Sequence, residues 1–189
     1  MTGLPEVLLP DSIRDLGPVD VSPFEALLGR FSERFWEVED ARKENDFGVF
    51  HSTDHIILRF LREADDPRTF YDRGSWAVVE PRLRPSLDKI VAPYDFADPV
   101  YCKAMFARLQ PHAVIDRHRD AARGNRLCHK IHVPVITSPS VWFEAGDRRR
   151  HLERGRAYEV NNVDPHSAGN NSDEPRVHFI FEVYDGANS

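Results

Sequence analysis

Two histidines and an aspartate have the residue types and the spacing of a metal site. His118 and Asp120 stand two residues apart, and His166 follows much later in the chain. On a β-strand, residues two apart face the same side, so His118 and Asp120 could chelate one ion. Two imidazoles and one carboxylate form the facial triad that holds non-haem Fe(II) and leaves coordination positions open. His118, Asp120 and His166 are therefore predicted as metal ligands and catalytic residues, although His-x-Asp alone also suits a solvated strand end.

Arg176 adds a group that could bind an anion near such a metal. It lies ten residues after His166, in a segment that alternates like a strand. A guanidinium holds a carboxylate through two parallel hydrogen bonds, which fixes both the position and the orientation of the anion. The four residues together predict an iron oxygenase with a carboxylate co-substrate.

The composition is that of a globular protein of one domain. The chain has 189 residues, of which 41% are hydrophobic and 30% are charged. These fractions argue against disorder, and the length suits a single core. The formal charge is −6, whereas a nucleic-acid-binding surface would be basic. We therefore expect a small-molecule substrate as the partner, with no nucleic acid.

Nothing in the sequence predicts a membrane segment or a secretory leader. No apolar run approaches the roughly 20 residues needed to span a bilayer, and the N-terminus lacks a basic region. The two cysteines, Cys102 and Cys128, are too few for a metal cluster and are expected to be small buried hydrophobes. We expect a cytoplasmic protein without membrane contact, where both thiols stay reduced.

The chain changes character near residue 100. Residues 1–22 are punctuated by proline and predicted to be extended. Ser22 and Pro23 predict the start of a helix, 55–60 resembles a strand, and 82–91 has a helical pattern whose start is limited by Pro85. Short strands are predicted after residue 100, with turn residues between them, at 101–109, 114–120, 127–136, 141–144, 157–161 and 176–184. This order predicts an α+β protein, mainly β, in which helices cover one outer face of a barrel or sandwich.

The last strand and the strand around residue 130 each have one apolar and one polar face. In the last strand, Arg176, His178 and Glu182 alternate with valines and phenylalanines. In the other strand, Lys130 and His132 alternate with Ile131, Val133 and Val135. Because alternate residues share a face, the polar side chains are expected to line one pocket.

The C-terminal 80 or so residues resemble the aspartyl/asparaginyl β-hydroxylase family of Fe(II)/2-oxoglutarate oxygenases. They are also similar to the bacterial free-proline hydroxylases. The shared pattern comprises Phe106-Ala107-Arg108-Leu109, Ile115-Asp116-Arg117-His118, His132-Val133-Pro134-Val135-Ile136, Asn161-Asn162, His166-Ser167-Ala168-Gly169-Asn170 and Arg176-Val177-His178. The resemblance implies a double-stranded β-helix, that is, a cupin-like jelly roll. Residues 1–189 would form one oxygenase domain, with 1–100 as supporting helices and strands and 101–189 as the jelly-roll core carrying the metal site.

The resemblance also implies roles for individual residues. His118 and His166 would bind Fe(II), while His132 and Arg176 would bind the carboxylates of 2-oxoglutarate. Lys130, where relatives often have arginine, and His178 are expected to contact the co-substrate or the substrate. The vertebrate relatives lack a carboxylate ligand, which Asp120 could supply here.

The function implied is an Fe(II)- and 2-oxoglutarate-dependent dioxygenase that hydroxylates an unactivated carbon, with O₂ as the second co-substrate. The expected substrate is a small polar molecule, such as a free amino acid or its peptidyl or carrier-bound form. Arg108 or Arg126 could hold a substrate carboxylate. Two alternatives stay open: the same chemistry on a lipid acyl chain or natural product, and a non-catalytic cupin-like sensor that binds a metal and a carboxylate. A zinc hydrolase is disfavoured because no glutamate is placed as a general base beside the histidines.

Overall fold

Eleven strands and three α-helices lie in the part of the chain that the structure describes. The computed structural model describes residues 3–42 and 52–188. Its elements are β1 (Ile13–Pro18), α1 (Ser22–Leu28), α2 (Glu33–Asp40), β2 (Thr53–Glu63), β3 (Asp66–Asp72), α3 (Trp76–Val91), β4 (Pro99–Leu109), β5 (Val114–His118), β6 (His129–Ile136), β7 (Val141–Ala145), β8 (Arg148–Arg150), β9 (Arg156–Val160), β10 (His166–Asn170) and β11 (Arg176–Asp185).

The strands form two antiparallel sheets. The larger sheet has the order β1-β9-β6-β11-β4-β2-β3, and the smaller one has the order β5-β10-β7-β8. Side chains from both sheets line a common cavity. This is the predicted α+β fold, mainly β, with the double-stranded β-helix as its core. None of the helices in the described ranges has the length and apolarity needed to cross a membrane.

The helices pack on one outer face of the larger sheet, as predicted. Phe24 of α1, Trp36 of α2 and Leu83 of α3 are buried in one apolar cluster. The sheet contributes the apolar face of β11, and the rings of Phe24 and Phe179 lie 5.0 Å apart. The opposite face of β11 is therefore left for the cavity between the sheets.

The helical region differs from the prediction in two places. The helix predicted from Ser22 is two helices, because Ser32 begins a new one by accepting a hydrogen bond from the amide of Phe35 at 3.2 Å. The apolar pattern continues across this break and so conceals it. The third helix starts at Trp76, well before Pro85, and contains both Pro81 and Pro85. Each proline removes one helical hydrogen bond, and burial of the apolar face of α3 compensates for the loss.

The strands agree with the prediction except at their ends and at four additional elements. The predicted strand 114–120 ends at His118, and His166, which was predicted at a turn, opens β10. The strands β1, β3, β8 and β10 were not predicted, and β1, β2 and β3 are part of the larger sheet. The first hundred residues thus contribute strands to the sheet in addition to the helices. Cys102 and Cys128 are buried free thiols, as expected.

Candidate metal centre

The cavity between the two sheets contains nearly all the polar residues singled out by the sequence. It is lined on one side by β2, β4, β6 and β11 and on the other by β5, β7 and β10. Six of the predicted site residues line it: His118, Asp120, Lys130, His132, His166 and Arg176. His178 is the exception, as described below. Distant parts of the chain therefore meet in one pocket, as the alternation of the strands predicted.

The pairing of β5 with β10 brings the two histidines together. His118 ends β5, His166 begins β10, and the two residues are direct partners in the antiparallel register. Their ring centroids lie 4.2 Å apart. The pairing of neighbouring strands thus brings two residues that are far apart in the sequence close enough to bind one metal ion.

Both histidine rings are held in the form that binds a metal. The Nδ1 of His118 lies 2.8 Å from the carbonyl oxygen of Asp116, and the Nδ1 of His166 lies 3.0 Å from that of Asp164. A carbonyl only accepts, so each Nδ1 carries a hydrogen, and the lone pair of a neutral ring is then on Nε2. Burial, together with the positive charge of Lys130, lowers the pKa of His166 to about 4. The His166 imidazole is therefore neutral at physiological pH, as a metal ligand must be.

Asp120 lies two residues beyond the end of β5 and still reaches the histidines. Its amide donates to the carbonyl of Asn162 at 2.9 Å, which ties the chain down after the strand. Its Oδ2 accepts hydrogen bonds from Lys130 Nζ at 2.7 Å and Asn162 Nδ2 at 2.8 Å. Its Oδ1 lies 3.7 Å from His118 Nε2. One carboxylate oxygen is thus engaged by the protein, and the other is turned towards the histidines.

The carboxylate of Asp120 is ionised in spite of its burial. Burial alone would raise its pKa, but the charge of Lys130 and the hydrogen bonds from Lys130 and Asn162 outweigh that effect and hold the pKa well below its usual range. Asp120 is therefore available as an anionic ligand at any physiological pH.

The three candidate ligands fit a divalent metal. One ligand atom from each of His118, Asp120 and His166 lies within 4.8 Å of the others. Two neutral imidazole nitrogens and one carboxylate oxygen are the donor set of the 2-His-1-carboxylate sites of non-haem iron. All three side chains border the cavity, so further positions of a bound ion would face its interior.

Lys130 belongs to a buried group of alternating charges behind Asp120. Its ammonium contacts Asp120 and lies 3.8 Å from Glu182 Oε1, and Glu182 in turn pairs with Lys103 at 2.9 Å. The Nζ of Lys130 is hydrogen-bonded to the carboxylate of Asp120, and its side chain also lines the cavity. The predicted contact of Lys130 with the co-substrate or the substrate stays a prediction.

Arg176 is a buried cation without a counter-charge in the described part of the chain. It opens β11, lines the cavity and is 3% exposed. No carboxylate of the described residues pairs with its guanidinium, and its buried Nε has no hydrogen-bond partner there. Burial lowers the pKa of Arg176 to about 10, so it remains charged at neutral pH. An unpaired buried cation is costly, and a carboxylate entering the cavity would compensate it.

His132 and His178 form a buried pair next to Arg176. His132 lines the cavity, whereas His178 lies behind it, outside the lining residues, and is 1% exposed. Their Nδ1 atoms are 3.3 Å apart. Burial, with nearby positive charges, lowers the pKa of both rings well below the usual value. His178 is not among the residues that line the cavity, and its predicted contact with the co-substrate or the substrate stays a prediction.

The two arginines considered for a substrate carboxylate are not among the residues that line the cavity, whereas several other polar residues are. Arg108 is engaged by Asp54 and Glu33 and stacks over Trp36, so its guanidinium already has anionic partners. Arg126 is exposed. The sequence gave no site role to three residues that line the cavity: Thr53 and His55 of β2 and Ser167 of β10. Asn162, which is part of the shared pattern, lines it as well. Thr53 and His55 are two residues apart on one strand, which was the available signal.

Comparisons with known proteins place this site in a family. The family model described as aspartyl/asparaginyl beta-hydroxylase matches residues 66–185. No curated protein matches the sequence at a significant level.

Solved structures show the same fold at low sequence identity. AviO1 from Streptomyces viridochromogenes Tue57 is 16% identical, with 94% of this chain and 91% of that chain covered and a TM-score of 0.59. The viral collagen prolyl hydroxylase vCPH from Paramecium Bursaria Chlorella virus-1, solved as its 2OG complex, is 7% identical, with 91% and 94% covered and a TM-score of 0.57. An oxidoreductase of the 2OG-Fe(II) oxygenase family from Burkholderia pseudomallei is 12% identical, with 80% and 78% covered and a TM-score of 0.53.

The structural likenesses establish the fold, and the family model covers more than half of the chain, including every candidate ligand. The chain belongs to the aspartyl/asparaginyl β-hydroxylase family and is an Fe(II)- and 2-oxoglutarate-dependent oxygenase.

Proposed function

We propose that this oxygenase hydroxylates an unactivated carbon of a small polar substrate, an amino acid in free, peptidyl or carrier-bound form. One observation carries the proposal: three neutral or anionic ligand atoms and an unpaired buried guanidinium face the same cavity. The first group suits a divalent metal, and the second suits a carboxylate bound beside it.

In the proposed site, His118 Nε2, His166 Nε2 and Asp120 Oδ1 hold Fe(II). Fe(II) with 2-oxoglutarate and O₂ supplies an oxidant that inserts oxygen into a carbon–hydrogen bond, while 2-oxoglutarate becomes succinate and CO₂. The Asp116 and Asp164 carbonyls keep the two imidazoles in the ligating tautomer.

The opposite side of the cavity is proposed to bind 2-oxoglutarate. Arg176 would hold one carboxylate through its guanidinium fork, and His132 would donate from the cavity wall to the other. Ile115, Phe143 and Ile180 are apolar residues of the same lining. Such a lining excludes water and strengthens the ionic contacts within it.

The amino-acid substrate class rests on the family description and on a solved relative. The matching family model is described as an aspartyl/asparaginyl beta-hydroxylase, and vCPH is a collagen prolyl hydroxylase. Thr53 and His55 line the cavity without belonging to the proposed iron or 2-oxoglutarate contacts, so they are candidates for a polar substrate contact.

Anaerobic reconstitution tests the proposal. Adding Fe(II) and 2-oxoglutarate to the protein without oxygen is expected to give the weak visible charge-transfer band of the chelate. Admitting O₂ should then yield succinate, and amino acids and their peptidyl forms should raise the succinate yield in a substrate screen. Neither band nor succinate, with Fe(II) verified as bound, would contradict the oxygenase. A band without succinate under any substrate would favour the sensor, and coupling only to acyl chains or natural products would replace the substrate class.

Lys130→Met is expected to weaken Fe(II) binding roughly 10- to 100-fold, the usual cost of losing a group that supports a metal ligand. The physical reason is that Oδ2 of Asp120 loses its charged donor, so the carboxylate is no longer held with Oδ1 towards the histidines. The affinity for 2-oxoglutarate at saturating Fe(II) should stay within about threefold. Both constants can be measured by anaerobic titration of the visible band.

Lys103→Met is the matched control for this prediction. The substitution removes a cation from the same buried charge group. Lys103, however, contacts Glu182 and not Asp120. Thermal unfolding of both variants would show whether each remains folded under the assay conditions. Equal losses of Fe(II) affinity in the two variants would contradict a specific role of Lys130 on Asp120, and a selective loss of 2-oxoglutarate affinity would restore the co-substrate role.

A further inference from the structure

The hydrogen bond between His132 and His178 contains a single proton. Both atoms of this bond are Nδ1, 3.3 Å apart, and the two rings stand nearly perpendicular at 85°. Burial and the charges of Lys130 and Arg176 keep His132 neutral, and burial with Arg176 keeps His178 neutral. Each ring therefore carries one hydrogen, and one nitrogen of the pair must donate while the other accepts.

The position of that proton decides what His132 offers to the cavity. If His132 Nδ1 carries it, His132 Nε2 is a bare lone pair and would repel a carboxylate. If His178 Nδ1 carries it, His132 Nδ1 accepts and His132 Nε2 must be an N–H, which can donate. Only the second arrangement suits an anion held beside Arg176.

The surroundings of His178 favour the second arrangement. Its Nε2 is buried and has no partner among the described residues. If His178 accepted from His132, this Nε2 would carry a hydrogen with no acceptor, and orphaned buried N–H groups are rare in folded proteins. With Nδ1 protonated, only a lone pair is left without a partner.

We propose that His178 is a positioning residue: it donates its Nδ1 hydrogen to His132 and thereby presents His132 Nε2–H to a carboxylate of 2-oxoglutarate. The inference rests on the proposed function, because it takes 2-oxoglutarate as the occupant of this end of the cavity. It also explains why a fully buried position behind the cavity wall holds an imidazole, although its neighbours Val177 and Phe179 are apolar. Phe143, 5.4 Å from the His132 ring, supports the same orientation from the opposite sheet.

Nitrogen-15 NMR tests the tautomers directly. The probe is the histidine-labelled protein with Zn(II) in place of Fe(II), with and without 2-oxoglutarate, and signals are assigned through His132→Asn and His178→Asn. In the complex, His132 is expected to be protonated at Nε2 only and His178 at Nδ1 only. The reverse pattern in the complex would overturn the proposal, whatever the stability of any variant.

Variants at position 178 test the consequence for binding. His178→Leu removes the donor and is expected to weaken 2-oxoglutarate binding about 10- to 100-fold, the range for a hydrogen bond to a charged group. His178→Asn retains a donor near the position of Nδ1 and should lose less than about fivefold, whereas His178→Gln, which carries its amide farther out, should behave like His178→Leu. Raised KM for 2-oxoglutarate with a smaller change in kcat is expected in the affected variants.

His112→Asn is the control, since His112 is exposed and lies outside the cavity lining. Unchanged 2-oxoglutarate affinity in His178→Leu, with wild-type protein binding 2-oxoglutarate normally, would overturn only the positioning role. Failure of the wild-type protein to bind 2-oxoglutarate would instead contradict the proposed function. Equal losses in the Leu and Asn variants would show that shape, and not the donated hydrogen, is what position 178 supplies.

Discussion

Replacement of His166 by alanine is expected to abolish Fe(II)-dependent turnover, with a loss of at least about 1,000-fold in kcat. Losing a group that merely supports a ligand costs roughly 10- to 100-fold, and losing the ligand itself removes a direct bond to the metal. His118→Ala should have the same effect, because the two residues are register partners and the Nδ1 of each ring is hydrogen-bonded to a backbone carbonyl. Succinate release and anaerobic Fe(II) titration measure the effect.

Asp120 makes this prediction sharper, because the family includes members without a carboxylate ligand. If Asp120 is a ligand, Asp120→Ala should lose Fe(II) affinity to a degree comparable with the histidine variants. If Asp120 only balances the charge of Lys130, the double variant Asp120→Ala with Lys130→Met should recover Fe(II) binding. His112→Asn serves as the control for an exposed histidine outside the cavity lining. Full turnover in His118→Ala or His166→Ala would contradict the ligand assignment.

The candidate ligands could be predicted from sequence because their chemistry is tied to residue type. Few kinds of site other than a metal centre need two histidines, an aspartate and a following arginine on strands whose side chains alternate between two faces. The role of Lys130 could not be predicted in the same way. Its partner lies in the segment after β5, and which of several anions an ammonium meets depends on how that segment folds onto β6. For the same reason the sequence predicted His178 at the cavity, although the structure leaves it out of the lining residues. Alternation gives the face of a strand but not the depth of a side chain.

The elements of the fold could be predicted where the alternation of apolar and polar residues determines them. They could not be predicted where strand pairing or a helix cap does. The strand of Arg176 and the strand of His132 follow their alternation closely. β10, with the small residues Ser167, Ala168 and Gly169, has no strong strand pattern of its own and is held by β5 and β7 on either side. Gly169 is required there, since a Cβ would stand 2.4 Å from the Trp142 ring. The break before α2 depends on one serine side chain, a detail that the apolar pattern does not report.

Replacement of Arg176 by leucine is expected to lower the affinity for 2-oxoglutarate without lowering the stability of the protein. Affinity for 2-oxoglutarate should fall about 100- to 1,000-fold, since the buried carboxylate would lose the guanidinium that is proposed to hold it. The free energy of unfolding of the protein without ligands should rise, or at least not fall. The pKa of Arg176, about 10 against the ordinary 12.5, corresponds to a cost of about 3 kcal/mol for burying the charge at neutral pH. Urea unfolding with and without 2-oxoglutarate measures both effects.

The free-energy cost of burying the charged Arg176 depends on pH, and the direction of this dependence agrees with the expected stability of Arg176→Leu. Because the folded state lowers the pKa of Arg176, the unfolded chain binds its proton more tightly, so the cost is fully present below pH 10 and would be relieved only above it. At neutral pH and saturating Fe(II), the wild-type protein should gain more stability from 2-oxoglutarate than Arg176→Leu does, by about 2.3 to 2.7 kcal/mol at 100 times the wild-type Kd. Arg176→Lys keeps the charge without the fork, and its affinity should be intermediate. If Arg176→Leu unfolds more readily than the wild type, the guanidinium already has a stabilising partner. If Arg176→Leu binds 2-oxoglutarate normally, the co-substrate carboxylate lies elsewhere.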